Sequence, residues 1–141
     1  MYLDSAYIAK FYLNEADSRQ VRAAIAEADT LVSSIWAMGE VTCSLHRHLR
    51  EGALNDSQYR DLLAAFLDHA AAGTWMFIPV TERLLREMVT LLSALPPTIY
   101  LRAGDAIHLI TALDLGEREI WTSDRHILAA AGHFGLTGRS A

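Results

Sequence analysis

Apolar residues follow two alternating rhythms along this chain. Short apolar runs at 1–4 (M-Y-L-D), 31–34 (L-V-S-S), 76–80 (M-F-I-P-V) and 119–123 (E-I-W-T-S) have the length of buried strands. The segments between them repeat apolar residues at helical spacing. Helices are predicted over 5–13, with Ile8, Phe11 and Tyr12 on one side, over an Ala-rich 18–28, from Ile35 to about Arg50, from Asn55 or Asp56 to about Ala72, and from Thr81 to about Ala94. After the break at Pro96-Pro97 come helices over 103–115, stopped by Gly116, and from about Arg125 to Ala131. Asp17 followed by Gln20 has the form of a capping pair for the second helix. Pro79 places the 76–80 strand at a sheet edge or near the strand's end. The Gly-rich tail adds at most a short strand. Alternating strands and helices predict an α/β fold: a short central parallel sheet of four to five strands with helices on both faces. No linker or repeat divides residues 1–141, so one domain is expected.

Composition narrows the classes. A net charge of -5 and a pI near 5.6 argue against a binder that holds nucleic acid by bulk charge alone. Cys43 is the single cysteine, which excludes an internal disulfide and a cysteine metal cluster. The M-Y-L-D start lacks a basic segment leading into an apolar run, and no apolar run reaches the roughly 18–20 residues of a bilayer span. A cytoplasmic protein without membrane attachment is expected.

Four carboxylates stand out against this apolar pattern. Asp4 closes the first strand, and Asp124 follows the last strong one, ligand-binding positions in a parallel sheet. Glu40 lies early in its helix among I-W-A-M-G-E-V, and Asp105 lies in the first turn of R-A-G-D-A-I-H-L-I. Each has a plain structural explanation. Asp4 and Asp124 can cap helices, Asp105 suits a helix-dipole position, and Glu40 can sit half exposed. Taken together, convergence of the four would cost stability through repulsion unless a cation were present. An oxygen-only set without cysteine favours Mg²⁺ or Mn²⁺, and the implied chemistry is phosphodiester hydrolysis. In that arrangement Ile107, Ile110 and Leu113 anchor the helix, and Asp105 faces Asp4 and not bulk solvent.

At these residues the sequence resembles a known family. Asp4 in Y-L-D-S, Glu40 in W-A-M-G-E-V, Asp105 in R-A-G-D-A-I-H-L and Asp124 in T-S-D-R look like the acidic quartet of PIN-domain nucleases. The likeness runs over nearly the whole chain and is nearest to the VapC-type toxins of toxin–antitoxin modules. D-A-I-H-L-I-T-A-L followed by I-W-T-S-D is its most specific part. The resemblance implies a PIN-like fold and a Mg²⁺- or Mn²⁺-dependent endoribonuclease acting on tRNA or rRNA. It also implies a homodimer and a cognate antitoxin whose C-terminal segment occupies the site. By the same resemblance Asp4 and Asp105 are the principal metal ligands, with Glu40 and Asp124 completing the set. Thr122 and Ser123, with Ser5, are hydroxyls near the scissile phosphate. Two positions depart from the pattern. His126 stands where some members carry a further acid, and Gly39 precedes the Glu.

The remaining polar residues leave alternatives open. The basic run H-R-H-L-R (46–50) puts Arg47 two turns from Glu40, as a solvated helix end or as an RNA or antitoxin contact. Arg102 and Arg125 flank two acids and either bind phosphate or neutralise the carboxylates. His108 is either a hydrogen-bonded, half-buried residue or a proton shuttle. Tyr2, Tyr7, Phe11, Tyr12 and Trp36 read as packing residues, and Leu91, Leu92 and Leu95 as core or dimer contacts. A phosphatase built on a strand-end Asp is disfavoured, because the second Asp such sites use is replaced by Ala6. The competing reading is a catalytically silent PIN-like module that binds RNA or protein.

Overall fold

The computed structural model describes residues 1–141. Its strands are β1 (Tyr2–Leu3), β2 (Val32–Ser34), β3 (Met76–Ile78), β4 (Glu119–Trp121) and β5 (Thr137–Arg139). Its helices are α1 (Ser5–Tyr12), α2 (Ser18–Ala26), α3 (Ala37–Arg50), α4 (Asp56–Ala71), α5 (Glu82–Ser93), α6 (Ala103–Asp114) and α7 (Arg125–Ala130). A short 3-10 helix, Ala131–Phe134, follows α7 and ends at Gly135 with φ 72°. All strand pairs are parallel, in the order β3-β2-β1-β4-β5. The chain runs outward from β1 to β3, returns across the sheet, and runs outward again from β4 to β5. The reversal lies between β1 and β4, so their carboxyl ends flank the crevice where open α/β sheets bind ligands.

Strand periodicity divides the core. Leu3 and Trp121 point to the face covered by α1–α4, whereas Tyr2, Val32 and Ile120 point to the opposite face. The first face holds Tyr7, Ile8, Val21, Val41, Leu45, Phe66 and Trp75. There Tyr12 accepts from Trp75 Nε1 (2.7 Å) and meets His69 Nδ1 (2.8 Å), which satisfies the polar tips of a buried aromatic cluster. The second face packs α6 against β2 and β4, with α5 and α7 alongside. With neighbours on every side, α6 buries eight consecutive residues, Asp105 to Ala112. Each apolar side chain fully buried here contributes about 1.5–3 kcal/mol.

The elements follow the predicted order, and β3 is indeed an edge strand. The strands are shorter than their apolar runs. α3 starts at Ala37 rather than Ile35, because Ile35 N still bonds Ile78 O (2.8 Å) and Trp36 N bonds Ser34 Oγ (3.2 Å). Asn55 and Gln58 form the capping box of α4. Asp17 makes no cap bond; its carboxylate pairs with Lys10 Nζ at 2.5 Å instead. In α6 the anchors are Ile107, Leu109 and Ile110, whereas Leu113 is exposed. Leu91, Leu92 and Leu95 are partly buried against the second core. Trp36 is not part of the buried core; it is 48% exposed, with its Nε1 toward Gly104. No helix is long and apolar enough to cross a membrane.

Candidate active site

Asp4 leaves β1 and begins α1. Its N–H donates to Trp121 O (3.1 Å), extending the β1–β4 pairing by one residue. Its Oδ1 accepts from Tyr7 N (2.9 Å) as the cap of α1, and its Oδ2 accepts from the Thr122 hydroxyl. The residue is only 3% exposed. Burial pushes its pKa above the usual carboxylate range; His108, Thr122 and the Tyr7 amide offset part of this. Asp124 follows β4. Its Oδ1 accepts from His126 N (2.7 Å), capping α7, and its own N–H donates to Thr122 Oγ1 (2.8 Å). Thr122 is fully buried and links the two acids: its hydroxyl donates to the Asp4 carboxylate, accepts from the Asp124 amide and does not line the cavity of the acids.

Asp105, in the first turn of α6, is buried on the side of Asp4 and not in bulk solvent. Arg102 takes both its oxygens, with Nε to Oδ2 at 2.9 Å and Nη2 to Oδ1 at 3.2 Å. The same Nη2 reaches Asp124 Oδ2 at 3.0 Å. One guanidinium thus bridges the acid of α6 and the acid after β4, which favours neutralisation of the carboxylates in this state.

Glu40 extends from α3. Its Oε2 accepts from the Ser5 hydroxyl and from His108 Nε2 (3.0 Å). Burial opposes ionisation of Glu40, but the hydrogen bonds of His108 and Ser5 outweigh it and hold the pKa below the ordinary value. His108 is buried, not half-buried, and its Nδ1 meets the Tyr2 hydroxyl at 3.2 Å. Burial raises the Tyr2 pKa, so that hydroxyl stays protonated. Both ring nitrogens are thus held, Nδ1 by Tyr2 and Nε2 by Glu40 and Ser5. The histidine therefore ties β1, α1, α3 and α6 together behind Glu40.

Gly104 is a site residue that the sequence did not single out for a role. A Cβ there would lie 2.5 Å from Glu40 Oε1 and 3.1 Å from Trp36 Nε1. Its hint was its place just before Asp105. Gly39, in contrast, has open space where a Cβ would go, so no close packing within the chain requires it.

Asp4, Glu40, Asp105 and Asp124 all line one cavity of about 280 Å³, with Ser5, Arg47, Arg102 and His108 also in its wall. Arg47, from the basic run on α3, thus reaches the acids. Ser123 and Arg125 lie outside this cavity, in an adjoining one of about 530 Å³ that shares Arg102 and Asp124 with it. Ser123 Oγ is held by Lys10 (2.7 Å) and Asp17 (3.2 Å). A larger cavity, about 810 Å³, opens at the amino ends of the strands beside Met1, Glu27 and Glu119, and none of the four acids lines it. As the side chains stand, no three acidic, histidine or cysteine groups converge on one ion-sized point. Asp105 and Asp124 are held on Arg102 instead, a side chain that is 59% exposed. The donor chemistry suits a hard divalent cation, and the bridging guanidinium marks where positive charge is required.

The fold has solved counterparts. One is VapC20 of Mycobacterium tuberculosis, described as a sarcin–ricin loop cleaving toxin, with a TM-score of 0.71 at 15% identity over 92% of this chain and 93% of that one. Another is a chain of FitAB, solved bound to an IR36 DNA fragment, with a TM-score of 0.70 at 14% identity over 99% of this chain and 93% of that one. At such identities the likeness concerns the fold. No curated protein sequence matches. The family model for the PIN domain matches residues 1–133, a span that holds all four acids and every α-helix and strand but β5, and by that match the chain belongs to the PIN-domain family.

Proposed function

We propose that this protein is a Mg²⁺- or Mn²⁺-dependent endoribonuclease, the toxin of a toxin–antitoxin module, and that residues 1–141 act as one domain. The observation that carries the reading is the meeting of four carboxylates, from β1, α3, α6 and the β4–α7 turn, in the walls of one cavity at the sheet's switch point. Asp4 and Asp105 are the principal ligands in this reading, with Glu40 and Asp124 completing the set once Arg102 withdraws. A divalent cation bound by these residues would supply positive charge against the phosphoryl oxygens and would acidify water. Ser5 and His108 hold Glu40 by its Oε2, and the carboxylate so fixed orients the attacking water. Arg47 and the displaced Arg102 hold phosphate oxygens. Water adds at phosphorus as its proton passes to Glu40, and the P–O ester bond opposite breaks, its oxygen leaving with the bonding electrons and taking a proton from solvent.

A fold shared with a toxin that cleaves the sarcin–ricin loop supports structured RNA, rRNA or tRNA, as the substrate class. In this reading the C-terminal segment of a cognate antitoxin occupies the same cavity. The exposed Leu85 and Val89 on α5 support a homodimer. The test is cleavage of total tRNA and rRNA by purified protein with Mn²⁺ against chelator. Asp4→Asn and Asp105→Asn should each abolish it; undiminished cleavage in both variants would refute the catalytic assignment. A silent binding module would bind RNA with no metal-dependent products.

A further inference from the structure

Beside the acid cavity lies a second one, about 530 Å³, lined by Tyr100, Arg102, Ser123, Asp124, Arg125 and His126. Its composition differs from that of its neighbour. Tyr100 is 61% exposed, although a ring of that size is normally covered. The ring rests edge-on against His126, centroids 4.8 Å apart and planes at 67°. This contact holds the phenol in place from one side while its surface stays open. Arg125 makes no carboxylate ion pair; its Nε contacts His126 Nε2 at 3.4 Å. Asp124, the only acid present, is already matched by Arg102. An exposed aromatic ring, an imidazole and a free guanidinium around a cavity of this size suit one nucleotide, with its base on the ring and its phosphate on the cation.

We propose that this cavity is a nucleotide subsite for single-stranded RNA: Tyr100, supported by His126, stacks the base next to the scissile phosphate, and Arg125 holds the phosphate flanking that base. The assignment rests on the endoribonuclease reading for its substrate class. The shared wall of Arg102 and Asp124 supplies the register, because a nucleotide seated here has its neighbouring phosphate at the acids. Stacking on Tyr100 needs a base free of its partner, so the substrate is unpaired at this position. His126, where some relatives carry a further acid, thereby serves base binding.

Binding without cleavage tests this. A fluorescein-labelled five-nucleotide oligoadenylate and oligouridylate are titrated by anisotropy with the full chain in EDTA, beside a blunt RNA duplex of the same length. Tyr100→Ala should weaken single-strand binding about 10-fold, whereas Tyr100→Phe should stay within about twofold of wild type. Arg125→Ala should weaken binding and flatten its salt dependence by about one phosphate contact. The duplex should bind more weakly than either single strand. Tyr100→Ala binding within twofold of wild type, or a duplex bound as tightly as the single strands, would overturn the subsite. Metal-dependent cleavage together with Tyr100-independent binding would remove the subsite alone. Tyr100-dependent binding without cleavage in Mn²⁺ would support the subsite and refute the nuclease reading.

Discussion

Arg102, just before α6, reaches Asp124, just after β4, with Nη2 3.0 Å from Oδ2 while the same side chain grips Asp105. A cation of the chain itself thus sits between two acids that a metal-dependent mechanism needs. Metal and guanidinium should compete. Removing Arg102 leaves two carboxylates close together and uncompensated, which raises the demand for an external cation.

Thermal melts titrated with Mn²⁺ follow this competition. Metal at about 100 times its Kd should add ~2.7 kcal/mol to wild type. The shift should be smaller for Asp105→Asn, and for Arg102→Ala its midpoint should fall to lower metal concentration. Equal shifts and midpoints in all three proteins would count against a shared site.

Gly104 lets Glu40 approach α6. The atom that an added Cβ would strike, Oε1, is the end of a flexible side chain, so Gly104→Ala should displace Glu40 and not the backbone. Helix propensity favours the alanine by up to about 1 kcal/mol. Melting temperature should hold or rise while metal-dependent RNA cleavage falls ~10-fold or more. Gly39→Ala is the control: with open space around it, stability should rise slightly. A stable, fully active Gly104→Ala would show that Glu40 need not sit where it does.

His108 is buried between Tyr2, Ser5 and Glu40. His108→Ala leaves a cavity and a buried tyrosine hydroxyl without its partner, and should cost about 2–4 kcal/mol in urea unfolding. His108→Gln retains a donor toward Glu40 and should cost less. A loss below about 1 kcal/mol for the alanine variant would contradict this packing role.

Asp17 provides a pH test away from the candidate ligands. Its pKa is lowered mainly by the Lys10 hydrogen bond, with Ser123 adding to the effect. For a carboxylate depressed in the folded state, the stability gained is fully present above the unfolded value, near 4, and is lost as pH falls through the folded value. Asp17→Asn should therefore destabilise the protein at pH 7, by under ~1 kcal/mol because solvent screens the pair. The difference should shrink toward zero in acid. Urea unfolding at pH 7 and pH 3 measures it, and a difference that grew in acid would reverse the assignment.

Much of the frame was legible from residue order. Apolar runs marked β1–β4, and Asn55 with Gln58 marked the start of α4. Asp17 with Gln20 showed the same cap pattern but made no cap, because a cap competes with any nearby cation, and Lys10 arrives from a different helix. Leu113 looked like core by hydrophobicity, yet it falls on the open side of its helix, and Trp36, just before α3, stays half exposed beside Gly104. Periodicity names a face but not what covers it. Asp4 and Asp124 turned out to be helix caps and cavity acids at once, since a carboxylate has two oxygens and a cap uses only one.

The sequence by itself determined the alternation of strands and helices, the four acids and their family pattern. These are local or linear properties, set by side-chain chemistry and spacing. Tertiary structure alone decided which groups meet. The return of the chain across the sheet brings Thr122 onto Asp4, Arg102 onto Asp124, and His108 behind Glu40. It also sets Tyr100 and His126 around a second cavity. Such partners lie far apart in sequence and carry no mutual spacing, so only the packed chain, through contact and desolvation, assigns them their parts.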